Sequence, residues 1–213
     1  YCPKCGQPLK WYDMVPVFSW IFLGGKCRNC KEKISARYPI VESLNAVLWT
    51  LSAYFIGLNA NAFIYDALFS ALIVMTFIDI DTKEIPNGIV VFIIILSIPL
   101  FFTAKDVVWW HRLVGAGGIS VPLYVIALVT GGIGGGDIKL YFALGLVLGL
   151  YPTLVSAFIA IVSAGLIGGV LLLTKKVRKG YELPLGPFIA LGAVVTVFAG
   201  TPIIDGIKNL FGI

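Results

Sequence analysis

The stretch I-S-V-P-L-Y-V-I-A-L-V-T-G-G-I-G-G-G-D-I-K-L-Y-F-A-L-G-L-V-L, Ile119 to Leu148, is two apolar runs separated by a glycine ramp and a single carboxylate, Asp137. Crossing about 30 Å of hydrocarbon takes roughly 17 to 25 apolar residues. The first run, extended back to Leu113, meets that length, and the second is shorter. Read outward from here, the chain offers seven apolar segments, near 40–57, 63–80, 89–104, 113–130, 138–150, 153–173 and 187–204. The fifth has the length of a half-span or of a tilted partner to the sixth. The tail Ile203 to Ile213 is too short to span again and suits the interface. Of the 213 residues, 59% are hydrophobic and 13% charged, and the mean hydropathy is +0.96. A soluble domain is about half apolar and about a quarter charged. The expected class is therefore an all-α polytopic membrane protein with about seven transmembrane helices.

Lys and Arg placement orients it, because short cytoplasmic loops are enriched in both. The segment before the first span and the loops 79–88, 131–139 and 174–186 would share one side. Together they hold thirteen of the sixteen basic residues. Lys105 and Arg112 fall opposite, and Lys208 lies in the tail. The basic side is the expected cytoplasmic one. The K-K-V-R-K run at 175–179 reads as an anchor near anionic lipid. A net charge of +5 then needs no nucleic acid to explain it.

All four cysteines lie in the first 30 residues, as C-P-K-C (Cys2, Cys5) and C-R-N-C (Cys27, Cys30). Two C-x-x-C pairs about twenty residues apart resemble a zinc ribbon with four thiolate ligands. Two disulfides would need an oxidising compartment, which the charge asymmetry argues against. A redox C-x-x-C lacks its βαβ context. Zinc is the expectation, and its role structural, because four protein ligands leave no open position. Residues 1–38 are expected as a cytoplasmic metal-binding loop domain and 39–213 as the membrane domain.

The eleven acidic residues can be weighed singly. Asp13, Glu32, Glu84, Asp106, Glu182 and Asp205 fall in segments expected to be wet, and Asp66 near enough to a span end to reach the interface. Glu42, in P-I-V-E, opens the first span, where a helix N-terminus favours negative charge. Two sites remain. F-I-D-I-D-T-K-E-I-P-N puts Asp79, then Asp81, at the cytoplasmic end of the second span, and Asp137 follows the glycines at the cytoplasmic start of the fifth. Ionisable groups at membrane depth mark function by default. Two carboxylates brought close share one proton, and the pair can activate a water and polarise a carbonyl. Gly134, Gly135 and Gly136 would permit positive φ and the close approach of another chain. A phosphate cradle lacks the third glycine of G-x-G-x-x-G and any G-K-[ST]. On glycines and carboxylates alone, catalysis, a hinge and an ion pathway all stay open. The single histidine, His111 in V-V-W-W-H-R, belongs to the outer face, which leaves a Ser-His-Asp site without support.

Taken together, C-P-K-C, W-Y-D-M-V-P-V-F-S-W, G-G-K-C-R-N-C, I-S-A-R-Y-P-I-V-E, the Asp79–Asn87 motif, G-G-G-D-I-K-L and P-L-G-P-F-I-A-L-G-A resemble the type 4 prepilin peptidases, membrane aspartyl proteases of pilus and type II secretion systems. The resemblance covers nearly the whole chain. It implies catalytic roles for Asp79, seven residues before Pro86 of the I-P-N motif, and for Asp137 of G-x-G-D. Pro86, Asn87, Lys139, Glu42 and glycines 134–136 would support the site or admit substrate. It also implies eight spans, the first preceding Tyr1, in a bacterial inner membrane, with removal of a short basic leader from prepilins or pseudopilins on the cytoplasmic side. Members with the cysteine loop commonly also methylate the new N-terminus using S-adenosylmethionine. Gly25 and Lys26 match a loop linked to that step. Archaeal preflagellin peptidases share the aspartates but not the cysteines. The rivals from other classes are a transporter using the aspartates as a proton relay and a scaffold that docks a partner through its zinc knuckle.

Overall fold

A computed structural model describes residues 1–104, 107–177 and 183–211, excluding the side chains at 207, 208, 210 and 211. Lys105, Asp106, Arg178, Lys179 and Glu182, the Lys208 side chain and the last two residues of the tail lie outside the described residues. After a 3-10 turn, Trp11–Met14, the helices are α1 (Phe18–Phe22), α2 (Arg37–Phe55), α3 (Ala60–Thr82), α4 (Asn87–Thr103), α5 (Trp109–Thr130), α6 (Gly135–Leu148), α7 (Leu150–Leu173) and α8 (Gly186–Phe211). Among the described residues the only β-pairing is an isolated bridge, Lys26 to Lys33.

The residues that break the apolar runs set the helix limits. Asn59 Oδ1 accepts from the Ala62 amide at 3.0 Å and caps α3. Lys83 ends α3 in the left-handed region at φ 56, and Pro86 precedes α4, where its missing N–H costs nothing. Gly131 (φ 64) ends α5, and Gly149 (φ 83) forms the joint between α6 and α7. Each of the seven expected apolar segments is helical, yet seven spans is an overcount. Among the described residues four helices, α3, α5, α7 and α8, are long and apolar enough to cross a membrane. Helix α4 has 17 residues, and α2 carries Arg37, Glu42 and Asn45. Helix α6, with 14 residues, is about 21 Å long.

Burial explains why α6 can be short. Leu140, Tyr141 and every residue from Ala143 to Leu148 are buried, so α6 is wrapped by protein instead of facing lipid around its circumference. Its Leu140, Leu144 and Val147 join Leu68, Leu72 and Met75 of α3, Ile93 of α4 and Ile189 of α8 in one core. Without a hydrophobic drive between helices in lipid, close packing requires small residues at the crossings. A Cβ on Gly115 of α5 would sit 2.6 Å from the Gly149 carbonyl carbon, and one on Gly145 of α6 would overlap the Gly115 and Ala116 backbone. Gly192 of α8 likewise lies directly on the Ser156 carbonyl of α7.

Three further placements come from the packing. Arg112 is fully buried, donating from Nη1 to the Leu146 carbonyl at 3.1 Å and to that of Val147. A cation there satisfies carbonyls that the C-terminus of α6 leaves open. Asp66, seven residues into α3, is buried within the bundle. The tail through Phe211 continues α8 instead of lying apart from it.

Replacing Gly145 with Leu should force α5 from α6 and lower stability by about 1–3 kcal/mol. Gly117→Ala, where nothing lies within 4 Å, should leave stability unchanged or slightly raised. Denaturant titration in detergent micelles reads both.

Candidate active site

Asp79 and Asp81 sit two residues apart in the last turn of α3, which turns them roughly 200° from each other around the axis. Burial separates them. Asp79 is 4% exposed, whereas the Asp81 side chain is 44% exposed and pairs with Arg37 of α2. A buried carboxylate needs donors. The Gly186 amide, first in α8, donates to Asp79 Oδ2 at 2.8 Å. Helix N-termini present unpaired N–H groups and favour negative charge. Glycine is required there because a Cβ would fall 2.7 Å from Asp79 Oδ2 and 2.8 Å from the Met75 sulfur. Pro187, next in the first turn, lacks a donor at a place where helices do not need one.

Asp137 occupies the first turn of α6, partly buried, with its amide donating to the Gly134 carbonyl at 3.1 Å. The glycines before it behave differently from expectation. None of Gly134, Gly135 and Gly136 has positive φ, and Gly134 sits at φ −68, ψ 135. What two of them provide is space. A Cβ on Gly136 would stand 3.0 Å from Ile85 Cβ, and one on Gly134 would stand 3.0 Å from Asp137 Oδ2. At Gly135 nothing lies within 4 Å.

The two motifs therefore touch. The α3–α4 connection, through Ile85, is pressed onto the start of α6, and Lys139 Nζ donates to Asn87 Oδ1 at 3.1 Å. Pro86 directs α4 away between them. Glycine, proline and carboxylate residues from α3, α4, α6 and α8 thus converge at one end of the bundle. A cavity of about 580 Å³ opens beside them between α4, α5 and α6, with Asn87, Lys139 and Ile138 at one end and mostly apolar walls such as Val91, Ile94 and Phe142. A pair of carboxylic acids there can exchange one proton with a water and a carbonyl. His111 is elsewhere. It stacks on Trp110 at 3.9 Å, and its carbonyl faces Gly149, at the opposite end of α6 from Asp137.

The cysteine loop is a separate constellation. Cys2 and Cys27 each donate to the carbonyl five residues ahead (Gln7, Glu32) and accept from the amide four ahead (Gly6, Lys31). Gly6 and Lys31 both take positive φ, so the two C-x-x-C segments form matching knuckles. No cysteine is in a disulfide, and all four Sγ atoms lie within 4.8 Å of one another. Tetrahedral thiolates about 2.3 Å from one ion stand roughly 3.8 Å apart, and Cys2 to Cys30 is 3.9 Å. The donor set therefore fits a closed four-coordinate metal site. The backbone amides of Cys5 and Lys4 pull the Cys2 thiol down to about 6, favouring the thiolate that metals bind. Gly25 (φ 67) is covered by the Trp20 ring, and Lys26 is exposed at the bridge to Lys33. Glu42 Oε2 accepts from the Val17 amide at 2.8 Å and so ties α2 to the loop.

Gly186 escaped the site reading. Its signal was a glycine followed by proline at a helix start, in P-L-G-P, but nothing local links residue 186 to residue 79.

Comparison with known proteins bears on both constellations. A family model described as the bacterial peptidase A24 N-terminal domain matches residues 1–56. A model of the type IV leader peptidase family matches residues 67–169. A Bacillus subtilis (strain 168) protein named prepilin leader peptidase/N-methyltransferase is 34% identical over 206 residues, covering 96% of this chain and 83% of its own. Proteins of the same name from Burkholderia pseudomallei (strain 1026b) and Stutzerimonas stutzeri are 34% and 32% identical. They cover 94% and 95% of this chain, and 67% and 72% of their own. No solved structure matches. Gly186 lies beyond both family models.

Gly186→Ala should drive Asp79 off its amide and cost about 1–3 kcal/mol, whereas Gly135→Ala should not destabilise. Thermal unfolding in detergent compares the two.

Proposed function

The chain belongs to the type IV leader peptidase family, and on that premise we propose that it is a membrane aspartyl endopeptidase that removes the short basic leader of prepilins and pseudopilins and N-methylates the new N-terminal residue. The observation that carries this reading is the meeting of the two motifs: Ile85 against Gly136 and Lys139 against Asn87, which brings the α3–α4 connection after Asp79 onto the first turn of α6 that holds Asp137. The relatives' names supply the substrate class and the second activity. The transporter reading is set aside, since both matching family models are those of peptidases.

Asp79 and Asp137 share acid and base roles. With one proton between them, the ionised carboxylate takes a proton from water as it attacks the scissile carbonyl. The protonated partner donates to the carbonyl oxygen, and proton return to the departing amine closes the cycle. Gly134 and Gly135 leave exposed backbone beside Asp137, against which an extended substrate can lie. Pro86 and Asn87 hold the α4 start, and Lys139 bonded to Asn87 keeps α4 and α6 in register at the cavity end.

The four cysteines hold a structural zinc ion, with residues 1–38 as the loop domain and 39–213 as the peptidase domain. S-adenosylmethionine supplies the methyl group when bound, and the exposed Lys26 ammonium would meet its carboxylate. Gly25 packs the loop beneath Trp20. The protein resides in the bacterial inner membrane, with the cysteine loop and both aspartates cytoplasmic, and engages lipid and prepilin but no nucleic acid.

Asp79→Asn and Asp137→Asn should each slow prepilin cleavage in proteoliposomes by about 10²- to 10⁴-fold. Near-normal cleavage by either variant removes that residue from the mechanism. Protein purified under reducing conditions should contain one zinc per chain, and Cys27→Ser should lose it. A metal-free preparation with native activity would rule the ion out. Mass spectrometry of mature product formed with labelled S-adenosylmethionine should show one methyl on the N-terminal amine.

A further inference from the structure

The last turn of α3 is held from two sides. On one, Asp79 accepts the Gly186 amide of α8 at 2.8 Å. On the other, Asp81 takes both ends of the Arg37 guanidinium, Oδ1 accepting from Nη2 at 2.6 Å and Oδ2 from Nη1. Arg37 is the first residue of α2, and its guanidinium carbon lies 5.9 Å from the centre of the Phe77 ring. Phe77 and Asp81, four residues apart, share one face of α3, so a single arginine spans the final turn. A lone exposed ion pair contributes little. This one is bidentate, which fixes direction as well as distance, and it is combined with an aromatic contact.

The position of this clasp matters because of where α3 stops. Its last carbonyls have no helical partner beyond Lys83, which has already turned left-handed at φ 56. An end like this frays unless tied. Two carboxylates roughly 200° apart, each bonded to a different helix, fix both the winding of the turn and its rotation about the α3 axis. That rotation sets where the Asp79 carboxyl points relative to Asp137. The anchor at Arg37 is itself braced. Asn45 Oδ1 of α2 accepts from Ser70 Oγ of α3 at 2.6 Å, and Glu42 one turn along holds the Val17 amide.

We infer that Arg37 and Asp81 are positioning residues for the Asp79 carboxyl, clasping the end of α3 from the side opposite the Gly186 amide. Neither touches the reacting atoms. Their effect is felt as the fraction of time Asp79 faces its partner acid, which is a kcat effect rather than a substrate-binding one. The inference rests on the peptidase reading for its kinetic arm, while its structural arm is independent of that reading.

The test uses the whole chain in detergent micelles with Arg37→Ala, Asp81→Asn and the exchanged pair Arg37→Asp/Asp81→Arg. Hydrogen exchange of the amides at 79–83 should quicken about tenfold in each single variant, with the thermal midpoint and exchange in the core of α6 unchanged. Cleavage of a prepilin peptide should lose about tenfold in kcat with KM changed less than twofold, and the exchanged pair should recover most of both losses. Unchanged exchange in the single variants overturns the clasp. So does faster exchange with kcat intact, a loss confined to KM, or an exchanged pair no better than the singles. Absence of cleavage by the unaltered chain instead refutes the peptidase reading, and the exchange measurement still decides whether the clasp exists.

Discussion

A carboxylate buried against apolar helices must find a hydrogen-bond donor, and here the donor is a main-chain amide from more than a hundred residues away. Asp79 is enclosed because the start of α8 arrives with an unpaired N–H and no Cβ. That contact fixes α8 against α3, where Met75 and Ile189 join the same core. An alanine side chain at 186 would occupy the space that the carboxylate uses. The geometry of the acidic pair thus depends on a residue that carries no functional group.

The same economy of volume organises the rest of the bundle. In a lipid setting helices gain little by hiding apolar surface from one another, so closeness must come from shape. Gly115 and Gly145 let α5 and α6 cross at backbone distance, Gly192 does this for α7 and α8, and Gly136 admits Ile85. The result is a central α6 sheathed by its neighbours, whose first turn carries Asp137 against the α3–α4 connection. Its far end is closed by Arg112, whose guanidinium meets carbonyls that lipid could not satisfy.

The cysteine loop works by a different chemistry but is joined to the same frame. Its matching knuckles bring four sulfur atoms from two short segments into one compact cluster. The chain between the second knuckle and α2 is bonded back through Trp20 Nε1, which donates to the Ile34 carbonyl at 3.1 Å, and through the Val17 amide on Glu42. The loop therefore ends at the helix whose first residue grips Asp81. Family membership, carried by relatives matching over most of the chain, accords with a single architecture that contains both parts.

Sequence alone determined the helical class, the approximate limits of the long helices among the described residues and the pairing of cysteines into two knuckles, and it singled out Asp79 and Asp137 as the expected acidic pair. These are local matters: apolar run length, turn residues and motif spacing are written in consecutive positions. Tertiary structure decided where each helix begins and ends, and it decided that a helix as short as α6 is covered by its neighbours. It also decided that glycines 134 and 136 serve close packing and not left-handed turns, that Asp66 and Arg112 are buried, and that Asp81 turns outward to Arg37. Above all it supplied Gly186. Spacing along a chain says which side chains exist and what local shape they favour, whereas the partner of a buried charge is set by which backbone the folded bundle brings within hydrogen-bond distance.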